Sequence, residues 1–179
     1  MTTYEVIQHQ EVGAGGAASI TFSSIPTDGT YTDLMLLLSL RDSSGATGYS
    51  ESYLKPNASG SGYSSRQLYG NGSSAASFSH TDLIRLWNNG NSNTANTFGS
   101  ITVYIPNYAS SNYKSISAEC VTEGNITGQG QFISASLWSN TAAISSLGIY
   151  ANGSNSFVQY SSATLIGITA GSDGITSVA

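Results

Sequence analysis

Short runs of alternating apolar and polar residues, separated by turn-forming residues, recur along almost the whole chain. In the clearest case, residues 98–120, the alternation stops at Pro106 and resumes at Ser115. Before the proline, one side of the run carries Ile101, Val103 and Ile105, and the other carries Thr102 and Tyr104. A period of two predicts half-buried β-strands, and a proline ends such a strand because it has no N–H for the ladder.

The same pattern predicts about ten strands, with turn signals roughly every 8 to 15 residues and no helix. The first two predicted strands, at residues 4–10 and 18–24, flank the glycine-rich segment "GAGGA", which predicts a hairpin turn. Asn71-Gly72 is a strong hairpin dipeptide and predicts a second hairpin. A later run alternates Ile133, Ala135 and Leu137 with Phe132, Ser134 and Trp138.

The leucine-rich segment "DLMLLLSLR", residues 33–41, is compatible with a helix by propensity. It is short and lies between two turn clusters, which favours a strand instead. Because its apolar run is almost unbroken, we expect this strand to be buried on both faces.

Strands with regular turns predict an all-β fold, an antiparallel sandwich or barrel in which each strand buries one apolar face. The 179 residues suit a single domain, residues 1–179, as no linker or internal repeat is visible. Charged residues make up 8% of the chain, about a third of the usual share. The polar faces of the strands therefore carry hydroxyl groups where most proteins carry lysine and glutamate.

Charge and hydropathy exclude several classes of protein. The five cationic residues are scattered, so no basic stripe is available for nucleic acid. The N-terminus has neither the basic nor the apolar part of a signal peptide, and the longest apolar run, residues 34–38, is too short to span a bilayer. We expect a soluble protein made in a cytoplasm, with Cys120 buried and inert.

Candidate catalytic and metal-binding groups are sparse. His80 and Asp82 are close in sequence, but no Gly-x-Ser-x-Gly motif accompanies them. Glu119 and Glu123 would share a face if one strand continued through both, and a solvated outer face is the favoured interpretation. One cysteine and two histidines do not make a structural zinc site. We expect no enzymatic activity, no cofactor and no metal.

The corner after Pro106 is the candidate ligand-binding site. Flat aromatic rings with amide partners suit both sugar faces and protein interfaces, and the loop is expected to project its side chains outward. The residues assigned to a glycan or subunit contact are Tyr104, Asn107, Tyr108 and Tyr113. The alternative is that these rings cover the end of the sandwich or pack between subunits.

Seven segments between Tyr4 and Ile168 resemble a family of small β-rich virion proteins from tailed bacteriophages. These segments are "YEVI", "SITFSSIP", "TYTDLMLLLSLR", "YSSRQLYGNG", "NTFGSITVYIPNYASSNYKS", "LWSNTAAISSLGIY" and "FVQYSSATLIGI". The most specific parts are "ITFSSIP" with the later "YTDL", the "IPNY" corner and the "FVQYSSATL" ending. The Ser-, Gly- and Asn-rich stretch after the leucine run departs from the family, which usually carries more charge there.

The resemblance implies a β-sandwich of jelly-roll type that serves as a structural part of a virus particle. Two roles follow: a capsid decoration or cement protein, or a tail-fibre component, the latter including a receptor-binding module for host surface glycan. A depolymerase is disfavoured because no credible acid/base pair is present.

Expected partners are other copies of the chain, most simply in a homotrimer, and the major capsid or tail proteins. Host glycan is a further expected partner under the receptor-binding role. The expected location is the virion, after synthesis in the host cytoplasm.

Overall fold

The computed structural model describes residues 3–126 and 128–169, and within this part of the chain it contains twelve β-strands and no helix. All pairings between these strands are antiparallel. The strands are β1 (Thr3–Glu11), β2 (Ser19–Phe22), β3 (Asp33–Leu40), β4 (Ser50–Pro56), β5 (Tyr63–Gly70), β6 (Ala75–His80), β7 (Ile84–Asn88), β8 (Gly99–Ile105), β9 (Lys114–Val121), β10 (Gln131–Trp138), β11 (Leu147–Ala151) and β12 (Ser162–Thr169). The all-β prediction is confirmed, with twelve strands rather than about ten. No helix that could cross a membrane is found among the described residues.

The strands form two sheets. The large sheet has the order β1-β12-β3-β8-β9-β10-β5-β6, and the small sheet has the order β2-β11-β4-β7. Early strands pair with late ones in a nested way: β1 with β12, β2 with β11, β3 with β8 and β4 with β7. The first four strands therefore alternate between the two sheets.

The predicted hairpin at "GAGGA" is wrong, because β1 and β2 belong to different sheets. The connection between them includes Val12, which is buried and exchanges backbone hydrogen bonds with the segment before β12. Its N–H donates to the Ser161 carbonyl at 2.8 Å, and its carbonyl accepts from the Tyr160 N–H at 2.9 Å. This pairing continues the contact between β1 and the β12 side of the sheet past the end of β1, so the chain does not turn back along β1.

Two hairpins are inserted into the nested arrangement. The β5–β6 hairpin lies between β4 and β7 in the chain, and the β9–β10 hairpin lies between β8 and β11. Because β5 pairs with β10, the four strands β9, β10, β5 and β6 extend the large sheet beyond β8. We call these four strands the wing.

The predicted hairpin at Asn71-Gly72 is confirmed as the turn between β5 and β6. The Asn71 side-chain oxygen accepts the N–H groups of Ser73 and Ser74 at 3.0 and 2.8 Å. Gly72 has φ of 80°, a left-handed conformation that glycine adopts at little cost. The partner strand β6 has no counterpart among the sequence-based predictions.

The leucine-rich strand β3 is a strand as predicted, but only one of its faces is buried. Leu34, Leu36 and Leu40 are fully buried between the sheets, whereas Leu37 remains 43% exposed on the other face. The prediction of burial on both faces is therefore wrong. No third layer covers the outer face of the large sheet in the described part of the chain.

Two strands of the wing, β5 and β10, bury polar side chains and expose aliphatic ones, whereas β9 buries Ile116 and Cys120 in the usual way. In β10 the serines Ser134 and Ser136 are buried, while Ile133 is 56% exposed. The flanking aromatic residues Phe132 and Trp138 lie on the same face as these serines and are fully buried. Large aromatic rings gain more from burial than isoleucine does, so the aromatic side of β10 turns inward and takes the serines with it.

Hydrogen bonds satisfy most of the polar interior of the wing. The hydroxyls of Ser65 and Ser136 lie 2.9 Å apart, and Gln67 Nε2 lies 3.3 Å from the Ser134 hydroxyl. Gln67 Nε2 also donates to the backbone carbonyl of Arg85 in β7 at 3.1 Å. Because β7 is an edge strand of the small sheet, no further strand pairs with its outer backbone groups. The Gln67 side chain of the wing therefore provides a hydrogen-bond donor for one of these carbonyls.

Candidate functional site

The corner that follows β8 is fastened to the start of β3 by one carboxylate. Asp33 Oδ2 accepts the Tyr104 hydroxyl at 2.9 Å, and Asp33 Oδ1 accepts the backbone N–H of Asn107 at 2.8 Å. Asn107 has φ of 50°, a left-handed conformation that asparagine tolerates better than most residues. Burial, and then the hydrogen bond to Asp33, raise the pKa of Tyr104. The chain therefore turns sharply at a fixed point.

Tyr108 does not project from this corner. Its side chain is fully buried, and its hydroxyl donates to the backbone carbonyl of Pro26. Its own carbonyl accepts the Ile144 N–H at 3.0 Å. Burial raises the pKa of the Tyr108 hydroxyl to about 12. The expectation that this ring faces outward is wrong, because the loop folds back and the ring fills space between two other connections.

Lys114 holds the far end of the same loop from inside. Its side chain is 1% exposed, and Nζ donates to the carbonyls of Ser110 and Asn112 at 2.8 and 2.5 Å. The Asn140 carbonyl lies at 3.5 Å. Burial lowers the pKa of this ammonium group, and no carboxylate among the described residues is paired with it. We call these three oxygens the Lys114 carbonyl cage.

The four predicted site residues share one corner, but they do not form one surface. Tyr113 is 59% exposed and Asn107 is exposed, Tyr104 is half-buried, and Tyr108 lies in the core. Asn112, beside Tyr113, is also exposed. The surface that this corner offers to a ligand therefore consists of one open tyrosine ring and the asparagines near it.

A second buried cation organises the loop between β7 and β8. Arg41 is 6% exposed, and its guanidinium donates to the carbonyls of Asn91, Asn93, Thr94 and Thr97 at 2.8 to 3.1 Å. The next residue, Asp42, is fully buried and accepts the Ser50 hydroxyl at 2.6 Å and Asn88 Nδ2 at 3.1 Å. No charge pattern in the sequence marks Arg41 or Lys114 as internal.

The outer face of the small sheet carries the ion pairs of the described residues. Arg85 bridges Glu51 and Asp82 at 2.6 and 2.9 Å, and its guanidinium carbon lies 5.7 Å from the centre of the Tyr53 ring. Burial, and then the charge of Glu51, raise the pKa of Tyr53 to about 12. Lys55, the other lysine of the chain, places its Nζ 5.2 Å from the centre of a neighbouring tyrosine ring.

The candidate catalytic groups are engaged elsewhere. Asp82 is paired with Arg85, while the His80 ring stacks on Phe78 and burial lowers its pKa. Strand β9 ends at Val121, before Glu123. Glu119 accepts Gln131 Nε2 at 2.6 Å, whereas Glu123 Oε1 accepts the backbone N–H groups of the turn that follows it. The two glutamates therefore do not lie on one strand.

Within the described ranges, no group of three or more His, Cys, Asp or Glu side chains is placed to hold a metal ion. Comparison of the chain with protein-family models, curated proteins and solved structures found no match.

Proposed function

We propose that this chain is a structural protein on the surface of a tailed-phage virion, either a capsid decoration or cement protein or a component of a tail fibre. The observation that carries the proposal is the nested pairing of β1 to β4 with β12, β11, β8 and β7. We propose that this nested pairing is that of a jelly roll with two inserted hairpins, since a jelly roll is a long hairpin folded into two sheets. Jelly rolls recur in viral capsid and lectin domains, and the resemblance to phage virion proteins points to the same context.

The hydrogen bonding of two internal cations supports a role outside a cell. Arg41 and Lys114 are buried and their charges are solvated by backbone carbonyls, so ions in the medium screen these contacts little. The 106–113 loop is fastened at three points, by Asp33, by the Tyr108 ring and by the Lys114 carbonyl cage. A loop tied down in this way is a poor substrate for proteases, since cleavage needs local unfolding.

Electron microscopy of purified phage particles labelled with antibody against this chain tests the proposal. Label distributed over the head supports decoration, whereas label at the tail supports a fibre component. Unlabelled particles, with the chain present only in the soluble fraction of the lysate, contradict both locations. In either location the proposed partners are the neighbouring capsid or tail proteins and further copies of the chain, with a homotrimer as the proposed state.

The second candidate function is recognition of host surface glycan. The favouring observation is the open Tyr113 ring, 59% exposed beside the exposed Asn112 on a loop that is otherwise held rigidly. A flat ring on a preorganised loop loses little entropy when a sugar face stacks on it.

Replacement of Tyr113 by alanine separates the two roles. Tyr160→Ala is the matched control, since Tyr160 is 63% exposed and precedes β12 at the opposite end of the large sheet. Reduced adsorption to host cells with normal particle assembly, seen for Tyr113→Ala alone, supports glycan recognition. Fragile particles with unchanged adsorption support decoration. Tyr108 is unsuitable for this test because its replacement would disturb the core.

A further inference from the structure

The outer face of the wing carries an apolar centre that nothing in the described chain covers. Leu68 of β5 lies directly opposite Ile133 of β10, and the two are 64% and 56% exposed. The next residue of β10 on this face, Ala135, is also exposed, and these side chains border an open depression of about 270 Å³.

Single exposed apolar residues are common on protein surfaces, but here they adjoin across two strands. The same two strands bury Ser134, Ser136 and Gln67 on their inner face. Strands β5 and β10 thus keep hydroxyl and amide groups inside and branched aliphatic groups outside. Apolar residues that cluster on a surface in this way mark an interaction site.

One cation and one anion flank the apolar centre. Arg66 lies on β5 and Glu119 on β9, with β10 between them, so about 10 Å separates their strands. Among the five cations, Arg66 is the one that has no carboxylate, aromatic ring or set of several backbone carbonyls as a partner within the described residues. Its guanidinium donates to the backbone carbonyl of Ser65, and no ion pair joins it to Glu119.

The positions of these two charges are complementary under a twofold axis. Arg66 is level with Ala135, and Glu119 is level with Ile133. The midpoint between the two charged residues therefore lies on β10, between Ile133 and Ala135. A twofold axis that lies in the plane of the contact, passes through this point and is perpendicular to the line between the two charged residues places the Arg66 of each copy opposite the Glu119 of the other. The apolar centre then lies close to the axis.

We propose that the wing patch, formed by Arg66, Leu68, Glu119, Ile133 and Ala135, binds the same patch of a second copy, face to face. The contact has an apolar centre between two intermolecular ion pairs, the arrangement expected of a self-complementary interface. This inference is independent of the proposed function. A chain that is trimeric through another surface would use the wing patch to join two trimers.

Sedimentation velocity over a range of protein concentrations tests the apolar centre. We expect the unmodified chain to associate reversibly, and Ile133→Ser to raise the dissociation constant by about tenfold or more. The matched control is Val6→Ser, because Val6 is a 59% exposed aliphatic residue of β1 at the other end of the same sheet. An unmodified chain that shows no reversible association up to sub-millimolar concentration overturns the proposal, as does equal weakening by the two variants.

Charge reversal tests the geometry of the contact. Arg66→Glu and Glu119→Arg should each weaken association, because each places like charges opposite one another across the twofold axis. The double variant should restore association, since both intermolecular pairs are re-formed with their signs exchanged.

Restored association in the double variant would not be due to a pair within one chain, because β10 separates Arg66 from Glu119. Additive weakening in the double variant overturns the proposed register. A dimer that persists in all of these variants also overturns the proposed contact. The unpaired edge of β6 would then be the next surface to test.

Discussion

Strand β3 of the nested part and strand β10 of the wing follow the same alternating pattern but differ in the side chains that they bury. In β3 of the nested part, the inward positions are leucines such as Leu36 and Leu38. In β10 of the wing, two inward positions are Ser134 and Ser136, and an aliphatic residue points to solvent. Alternation therefore defines two faces of a strand but does not determine which face becomes the interior.

The largest expected difference between the two regions is in the response to truncation of an aliphatic residue. Leu36→Ala should lower the free energy of unfolding by about 2–5 kcal/mol, because it leaves a cavity between the sheets. Ile133→Ala should change it by no more than about 0.5 kcal/mol in the monomer, because the side chain is half in water. Denaturant unfolding at low protein concentration measures both. Comparable losses would mean that the outer face of the wing is covered.

Removal of the Lys114 ammonium group tests how firmly the corner between β8 of the nested part and β9 of the wing is held. Lys114→Ala leaves the carbonyls of Ser110 and Asn112 without their donor, and we expect a loss of about 1–3 kcal/mol in the free energy of unfolding. Lys55→Ala is the matched control, as Lys55 contacts only a tyrosine ring at the surface and should cost less than about 1 kcal/mol. A loss no larger than that of the control would show that water replaces the ammonium group readily.

The polar interior of the wing should respond to the loss of one hydrogen-bonding side chain. Gln67→Leu removes the donor to the Arg85 carbonyl and to the Ser134 hydroxyl, and we expect a loss of about 0.5–1.5 kcal/mol. Gain of stability in thermal and denaturant unfolding would show instead that the wing interior tolerates an apolar core. That result would remove the contrast between the two regions.

Alkaline pH compares one titrating group from each region. Burial raises the pKa of the Cys120 thiol in the wing from 9.0 to about 12, and that of Tyr108 in the corner from 10.0 to about 12. Above pH 9 the unfolded chain loses its thiol proton while the folded chain keeps it. The unfolded state then binds fewer protons, so stability falls as pH rises.

For each group, we expect the free energy of unfolding to fall by up to about 1.4 kcal/mol per pH unit between its unfolded and its folded pKa. Cys120→Ala should remove the part that begins near pH 9, whereas Tyr108→Phe should remove the part that begins near pH 10. Chemical unfolding at a series of pH values between 8 and 11 follows the decline. An unchanged pH profile in the Cys120 variant would contradict the burial of the thiol.

Most strand positions were predictable, because a period of two needs no knowledge of neighbouring strands. The corner at Pro106 was also predictable, since a proline without an N–H ends the β8 ladder. Strand β6 was missed because it is short and mostly alanine and serine, so that Phe78 is its one large apolar residue and the alternation is weak. The false hairpin at "GAGGA" shows the same limit, as glycines permit a turn but do not choose the partner strand.

Within the candidate site, sequence located the corner but not the roles of its residues. Tyr108 and Tyr113 have the same side chain and lie five positions apart, yet one is buried and the other is 59% exposed. Their difference depends on Pro26 and Ile144, which reach the corner from distant parts of the chain. Lys114 gave no signal, because its cage is made of backbone carbonyls that any residue type can supply.

The sequence by itself determined that this chain forms strands, where most of them lie, and that little charge is available for its surface. These properties follow from local rules, namely side-chain periodicity, proline and glycine stereochemistry, and composition. The tertiary structure alone decided which strands pair, which face of β10 turns inward, and which cations become internal. Those outcomes depend on the free energy of burying one face against residues far away in the chain, and here the large rings of Phe132 and Trp138 outweigh the aliphatic side chain of Ile133.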